Sequence, residues 1–344
     1  MPMLRVIMPV GLALLVPLCG CGQGPSTPKE EVVIYTALDR QFSEPILEDF
    51  EAQTGIRARA VYDTESTKTV GLVNRIIAEA NRPRCDVFWN NEILNTLRLK
   101  QKGLLQACES ARALNYPEQF RDAEGQWFGF AARARVIIVN TERVPEDQRP
   151  TSIRDFADPR WRGQVGLAKP LFGTTASHVA CLFAKLGADE ARALLESFKA
   201  NDVKIVAGNK TCAEMVGTGQ LAFGLTDTDD AIIEVEAGRP VAIVFPDQGE
   251  GEMGTPLLPN TLALVKGCPN PQAGAKLIDY LLSPAVEERL AAGPSAQIPL
   301  HAKVGGRSRV AMLSELRPMA VDFERAAERF AESAAWVEEV FLAP

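Results

Sequence analysis

Histidine is nearly missing from this 344-residue chain: His178 and His301 are the only two, far apart and in no metal-ligand spacing. Seven cysteines include no Cys-x-x-Cys pair, which removes the common zinc and redox frameworks. Basic charge is also scarce. Lys and Arg number 37 against 44 Asp and Glu, giving a net charge of −7, and no basic patch is present to neutralise phosphates. Nucleic acid is therefore a poor partner. There is no Gly-x-Ser-x-Gly elbow and no phosphate-binding P-loop, so hydrolysis through an activated serine and P-loop nucleotide chemistry have no carrier. No internal repeat at solenoid spacing is visible. After the N-terminus, no run is long and apolar enough to span a bilayer.

What is present is an ordinary globular composition, 46% hydrophobic and 24% charged, over a length that suits two lobes rather than one core. The N-terminus has its own anatomy. Arg5 precedes the apolar run Val6 to Leu18, broken by Pro9, Gly11 and Pro17, which is short for a membrane span and fits a signal-peptide core. It ends in Leu18-Cys19-Gly20-Cys21, which resembles a bacterial lipobox. That resemblance implies cleavage before Cys21 and a lipid on its sulfur. Residues 1–21 are thus expected as a lipoprotein signal peptide and residues 22–30 as a polar Gly/Pro linker. The other five cysteines (85, 108, 181, 212 and 268) are scattered. A Cys85–Cys108 disulfide is open to an exported chain, and an odd number leaves at least one thiol free. Buried small hydrophobes is the simpler account of most of them.

From Glu31 onward, strand and helix alternate. Glu31–Thr36 is an apolar strand, and the helix from about Ser43 to Thr54 carries Ile46, Leu47 and Phe50 on one stripe and stops at Gly55. Ile56–Tyr62 and Cys85–Trp89 are further strands. This alternation predicts a parallel, doubly wound α/β sheet. Phe128–Asn140 is long for one strand and carries Arg133 and Arg135 mid-way; it reads as a crossing between lobes, with Thr261–Val265 as the return. Helices are expected over Ser152–Asp158, from Gly173 to Leu186, over Ala188–Ala200 and from Asn209 to Gly217, with a strand at Val203–Ala207. Apolar residues from Met319 to Phe341 recur at helical spacing and predict one long amphipathic helix, Met319–Leu342.

Several local signatures carry a resemblance: Val33-Ile34-Tyr35, Phe50 to Ile56, Asp86-Val87-Phe88-Trp89, Arg133 to Val136, Asp158 to Gly163, and Gly267 to Lys276 followed by Leu281-Leu282-Ser283-Pro284. With the order of elements, they resemble substrate-binding lipoproteins of bacterial ABC transporters, in the group of ferric-iron-binding periplasmic proteins. The resemblance implies a two-lobe periplasmic-binding fold of type II, with lobe 1 formed by residues 31–132 and 261–344 and lobe 2 by residues 133–260. It also implies a monomer anchored in the cell envelope only by its lipid, no enzymatic activity, no resident cofactor, and an ABC permease as partner.

The cargo is expected past the strand ending in Leu225-Thr226-Asp227-Thr228-Asp229-Asp230, since ligands of open α/β sheets bind beyond the carboxyl ends of strands. Iron-binding relatives place two adjacent tyrosines where this chain has Asp229 and Asp230, and the histidine of some relatives falls near Asp39. Aspartates remain acceptable hard ligands for ferric iron, which makes them the metal candidates. At least one residue of the corner is expected to cap its own helix. Thr174 and Thr175 at a helix start, with Asn209, suit an accompanying oxyanion. Glu65, Ser66 and Thr67, with Trp89 and Glu92, occupy the corresponding places in lobe 1, and Arg133 offers a bidentate fork. The default reading is ferric iron with an anion. A solute with an amine and an oxyanion, such as an aminophosphonate, is the organic rival, and a secreted hydrolase or structural lipoprotein on the same scaffold is the remaining alternative.

Overall fold

The computed structural model describes residues 30–63 and 70–343. Cys21 and linker residues 22–29, and Glu65, Ser66 and Thr67, lie outside the described residues. The first half opens with β1 (Glu31–Thr36), α1 (Arg40–Thr54) and β2 (Arg57–Tyr62). Helix α1 buries Ile46, Leu47 and Phe50, and ends where Gly55 takes φ 72° and returns its N–H to the Glu51 carbonyl. Next come α2 (Val70–Ala78), β3 (Val87–Asn90), α3 (Ile93–Gln101) and the short β4 (Leu105–Gln106). Strand β1 pairs in parallel with β2 on one side and β3 on the other, the winding expected from the alternating pattern.

Strand β5 (Phe128–Asn140) is a single strand of 13 residues, every one buried. It leads into β6 (Val165–Ala168), α4 (Gly173–Leu186), α5 (Ala188–Ala200), β7 (Lys204–Val206), α6 (Asn209–Gly217), β8 (Phe223–Asp227), α7 (Thr228–Glu236) and β9 (Val241–Val244). Strand β6 pairs in parallel with β7 and β8, so the second half repeats the α/β winding. The chain returns by β10 (Leu257–Val265), then α8 (Pro271–Leu281), α9 (Pro284–Ala292) and α10 (Phe323–Trp336). Strands β5 and β10 run antiparallel to each other and join the two halves into one mixed sheet, in the order β2-β1-β3-β10-β5-β8-β6-β7. Strand β5 passes from β10 to β8 and β9 and so crosses between the halves, whereas Thr261–Val265, expected as the return crossing, pairs with β3, β4 and the start of β5.

Two apolar clusters fill the halves, one around Ile34, Phe50, Phe88 and Leu277, the other around Phe156, Phe183, Phe198 and Phe223. Three expectations need correction. Residues 152–158 form a five-residue 3-10 turn, Ile153–Ala157, closed by reciprocal bonds between Ser152 and Asp155. The Val203–Ala207 strand shrinks to β7. The final amphipathic run is α-helical only through Trp336, then widens into a π-turn over Val337–Phe341 that delivers both end residues to the second apolar cluster. Cys85, Cys108, Cys181, Cys212 and Cys268 are all buried and free, so Cys85 and Cys108 form no disulfide. Among the described residues, no helix is long and apolar enough to cross a membrane.

Strand β5 bends at Ala131, a non-glycine residue at φ 42°. Its N–H donates at 2.6 Å to Glu287 on α9, and the same carboxylate accepts from the N–H groups of Leu300 and His301 at 2.7 Å each. Asn260 on β10 donates to the Ala131 carbonyl, where the β5–β10 register slips between Pro259 and Asn260.

Candidate functional site

Side chains two residues apart on a strand share a face, and on β5 those are Arg133 and Arg135. Arg135 lies directly opposite Asp227 in the antiparallel β5–β8 ladder. Its Nη1 donates to Asp227 Oδ1 at 2.6 Å, to Asn209 Oδ1 at 3.0 Å and to Thr174 Oγ1 at 3.2 Å, while Nη2 donates to Thr175 Oγ1 at 3.2 Å. The other Asp227 oxygen accepts from Thr174 Oγ1 at 2.6 Å and Asn209 Nδ2 at 3.0 Å. Arg135 and Asp227 are thus a buried ion pair inside a polar ring supplied by the starts of α4 and α6.

Asp227 is also the residue from which α7 starts, yet its carboxylate makes no cap bond. Of the corner residues expected to supply a cap, Asp227 is not one: its oxygens go to Arg135, Thr174 and Asn209 instead. Thr228, one residue on, accepts from the Ala134 N–H at 3.2 Å instead. Burial opposes ionisation of Asp227, but Arg135 and Arg133 outweigh it and hold the carboxyl below its usual range.

Arg133 reaches the other way. Its Nη2 donates at 2.5 Å to the carbonyl of Asn91, at the start of α3, and its Nη1 lies 3.3 Å from Asp229 and 3.5 Å from Asp227. Burial works against the Arg133 charge, but Asp229, Asp227 and Asp230 raise its pKa above the ordinary guanidinium range. Asp229 is less well served: burial, only partly offset by Arg133, pushes its carboxyl above the usual range, and its Oδ1 is buried without a partner. Carboxylate oxygens of Asp227, Asp229 and Asp230 all lie within 4.8 Å of one another.

The structure brings Arg133, Thr174, Thr175, Asn209, Asp227, Asp229 and Asp230 together. Three other expected residues have different surroundings. Glu92 caps α3, accepting from the Leu94 and Asn95 N–H groups at 2.9 Å, from Asn90 at 3.0 Å and from Ser177 Oγ at 2.7 Å. Its oxygens are occupied by the protein. Trp89 is fully buried against Phe130, ring centroids 5.5 Å apart. Asp39 precedes α1 at the same end of the sheet, where the Ala37 N–H bonds the Trp89 carbonyl.

Sequence reasoning missed Arg135 and Ser177. For Arg135 the signal was its spacing of two from Arg133 on a strand; for Ser177 there was none, since its partner is 85 positions away. His178 is buried beside Arg135; burial first and that charge second lower its pKa to about 3, so it is neutral.

Two wound α/β halves, joined by paired crossing strands and meeting at a polar cluster, define a two-lobe binding protein of type II. Residues 95–309 match the model of the bacterial extracellular solute-binding protein family, and the chain belongs to that family. Its members are solute-binding transport proteins. The chain is 28% identical over 335 residues to iron uptake protein A1 of Synechocystis, covering 91% of each. It is 25% identical over 217 residues to the Fe(3+)-binding periplasmic protein of Serratia marcescens, covering 63% of this chain and 62% of that one. The apo ferric ion-binding protein A of Pasteurella haemolytica superposes with a TM-score of 0.79 at 25% identity, over 90% of this chain and 98% of that one.

Proposed function

We propose that this chain is the solute receptor of an ABC importer, that its cargo is ferric iron, and that Asp229 and Asp230 hold the metal. The observation that carries this is the buried, unpartnered Oδ1 of Asp229, set among three carboxylates within 4.8 Å. A buried carboxylate oxygen with no donor is costly, and a hard cation relieves that cost with the ligand type such cations prefer. The iron-related names of the relatives agree with the reading. In this reading, residues 133–260 swing against the rest of the chain about β5 and β10, the protein works as a monomer, and a lipid on Cys21 keeps it beside its permease.

A second reading rests on Arg133, whose buried Nε has no partner. A solute carrying an amine and an oxyanion would set the amine on Asp229 and the oxyanion on Arg133. Both readings are tested by stripping the purified protein of metal and following its melting temperature with ferric citrate and with 2-aminoethylphosphonate, since a ligand that binds only the folded chain raises it. Iron should give the shift, with one bound iron per chain by metal analysis. The double variant Asp229→Ala, Asp230→Ala should abolish both signals; iron binding that survives it would place the metal elsewhere.

A further inference from the structure

The polar ring at the start of α4 is built for an oxyanion, and it is occupied. Arg135 offers a guanidinium, Thr174 a hydroxyl and Asn209 an amide N–H, and all three converge on one carboxylate, that of Asp227, at 2.6, 2.6 and 3.0 Å. We propose that Asp227 is the site's own counter-anion, so that the cargo cation is bound with no free phosphate or carbonate taken from solution. This rests on the reading of Asp229 and Asp230 as cation ligands.

Three observations support it. Asp227 stands where it could cap α7 and does not, so its carboxylate is committed to the ring. The ring's hydroxyl and amide donors are spent: Thr175 gives its hydroxyl hydrogen to Asn209 Oδ1 at 3.0 Å, and the Asn209 amide also donates to Thr174 Oγ1 at 2.9 Å, which leaves Arg135 Nε as the one buried ring donor without a partner. A free oxyanion would have to expel Asp227 or sit beside it, and two buried anions sharing one guanidinium repel. Charge bears on it too: Asp227 lies within ion-pair reach of both Arg135 and Arg133, so an internal carboxylate already holds the place beside these guanidinium groups that a free anion would take. With both of its oxygens engaged, Asp227 is also the poorest metal ligand of the three.

The test uses the whole mature protein, stripped of metal and loaded with ferrous chloride oxidised in air, in a chloride buffer freed of carbonate and phosphate. Iron retained after gel filtration is measured, then measured again with phosphate or bicarbonate added. The expected result is one iron per chain in chloride, unchanged by either anion. Iron retained only when an anion is supplied overturns the inference while leaving the cation reading intact; no iron under any condition overturns both. Asp227→Gly opens the ring. It should weaken iron retention in chloride by on the order of 10–100-fold, the loss of a charged hydrogen-bond partner, and formate or bicarbonate should restore it. A Gly variant that holds iron in chloride as the parent does also overturns the inference. Should that variant fail to fold, the comparison of buffers on the parent protein decides alone.

Discussion

Ser177 Oγ, on α4 of the second half, donates a 2.7 Å hydrogen bond to Oε2 of Glu92, the residue capping α3 of the first half. Both residues are buried. With the Arg133 bond to the Asn91 carbonyl, it is a polar tie across the two halves beside the aspartate corner. Ser177→Ala removes the tie and leaves the α3 cap in place. A hydrogen bond to a charged group contributes about 1.5–3 kcal/mol, so cargo affinity should fall roughly tenfold and small-angle scattering should show a larger radius of gyration. An unchanged radius with unchanged affinity would mean the tie has no part in closure.

Removing one member of a buried ion pair costs more than the pair contributes, because the other charge is left alone. Arg135→Met should therefore destabilise the chain by about 3–5 kcal/mol. Adding Asp227→Leu should recover much of that loss, since it removes the stranded charge. Denaturant melts of the two single variants and the double variant give the coupling directly; additive losses would contradict the pairing.

Two buried groups titrate with opposite sign. Burial raises Glu287 from 4.5 to about 7. Across that window the native chain keeps a proton the unfolded chain has lost, so stability falls as pH rises. His178 is lowered from 6.5 to about 3. Across its window the unfolded chain takes up a proton the native chain refuses, so stability rises with pH. Each slope is about 1.4 kcal/mol per pH unit, and they cancel between pH 4.5 and 6.5. Glu287→Gln should leave stability rising with pH in that range, and His178→Leu should leave it falling. Equal slopes in the two variants would refute the assignment.

Gly224 on β8 lies against Gly166 of β6 and Cys212 of α6. A methyl at Gly224 would stand 3.1 Å from the Gly166 carbonyl oxygen and against the Cys212 sulfur. Gly224→Ala should cost about 1–3 kcal/mol and disturb cargo binding, because Asp227 is three residues along the same strand. A variant with parental melting and affinity would show that the strand yields.

Burial pushes the thiol of Cys212 up to about 12, that of Cys268 up to about 12 and that of Cys108 up to about 11. Thiolate is the reactive form. At neutral pH a disulfide reagent should therefore react with the five buried cysteines of the native chain only slowly, and with all five once the chain is unfolded. A fast native thiol would place one of them at the surface.

Local chemistry was legible in advance. The apolar stripes of α1, the glycine that stops it and the long buried β5 follow from spacing within a few residues. Long-range pairing was not. The corner from Leu225 to Asp230 advertises three aspartates and two threonines, and nothing in that run says which aspartate faces an arginine 92 positions earlier. Register decides it: β5 pairs Arg135 with Asp227, which turns that carboxylate inward and leaves Asp229 the under-served one. Glu92 misled for a related reason. A glutamate after a strand looks like a ligand until its helix takes both oxygens, and Ser177 enters from the other half.

Ala131, the left-handed residue of β5, is two residues from Arg133 and four from Arg135. At about 3.3 Å per residue, Arg135 sits at the end of an arm roughly 13 Å long. Strand β10 holds β5 on both sides of the bend, Leu262 opposite Phe128 and Leu258 opposite Arg133, so the bend sets the direction in which that arm leaves the first half and hence where both guanidinium groups stand. A change at Ala131 would be read as misplaced arginines far along the strand before it was read as lost stability.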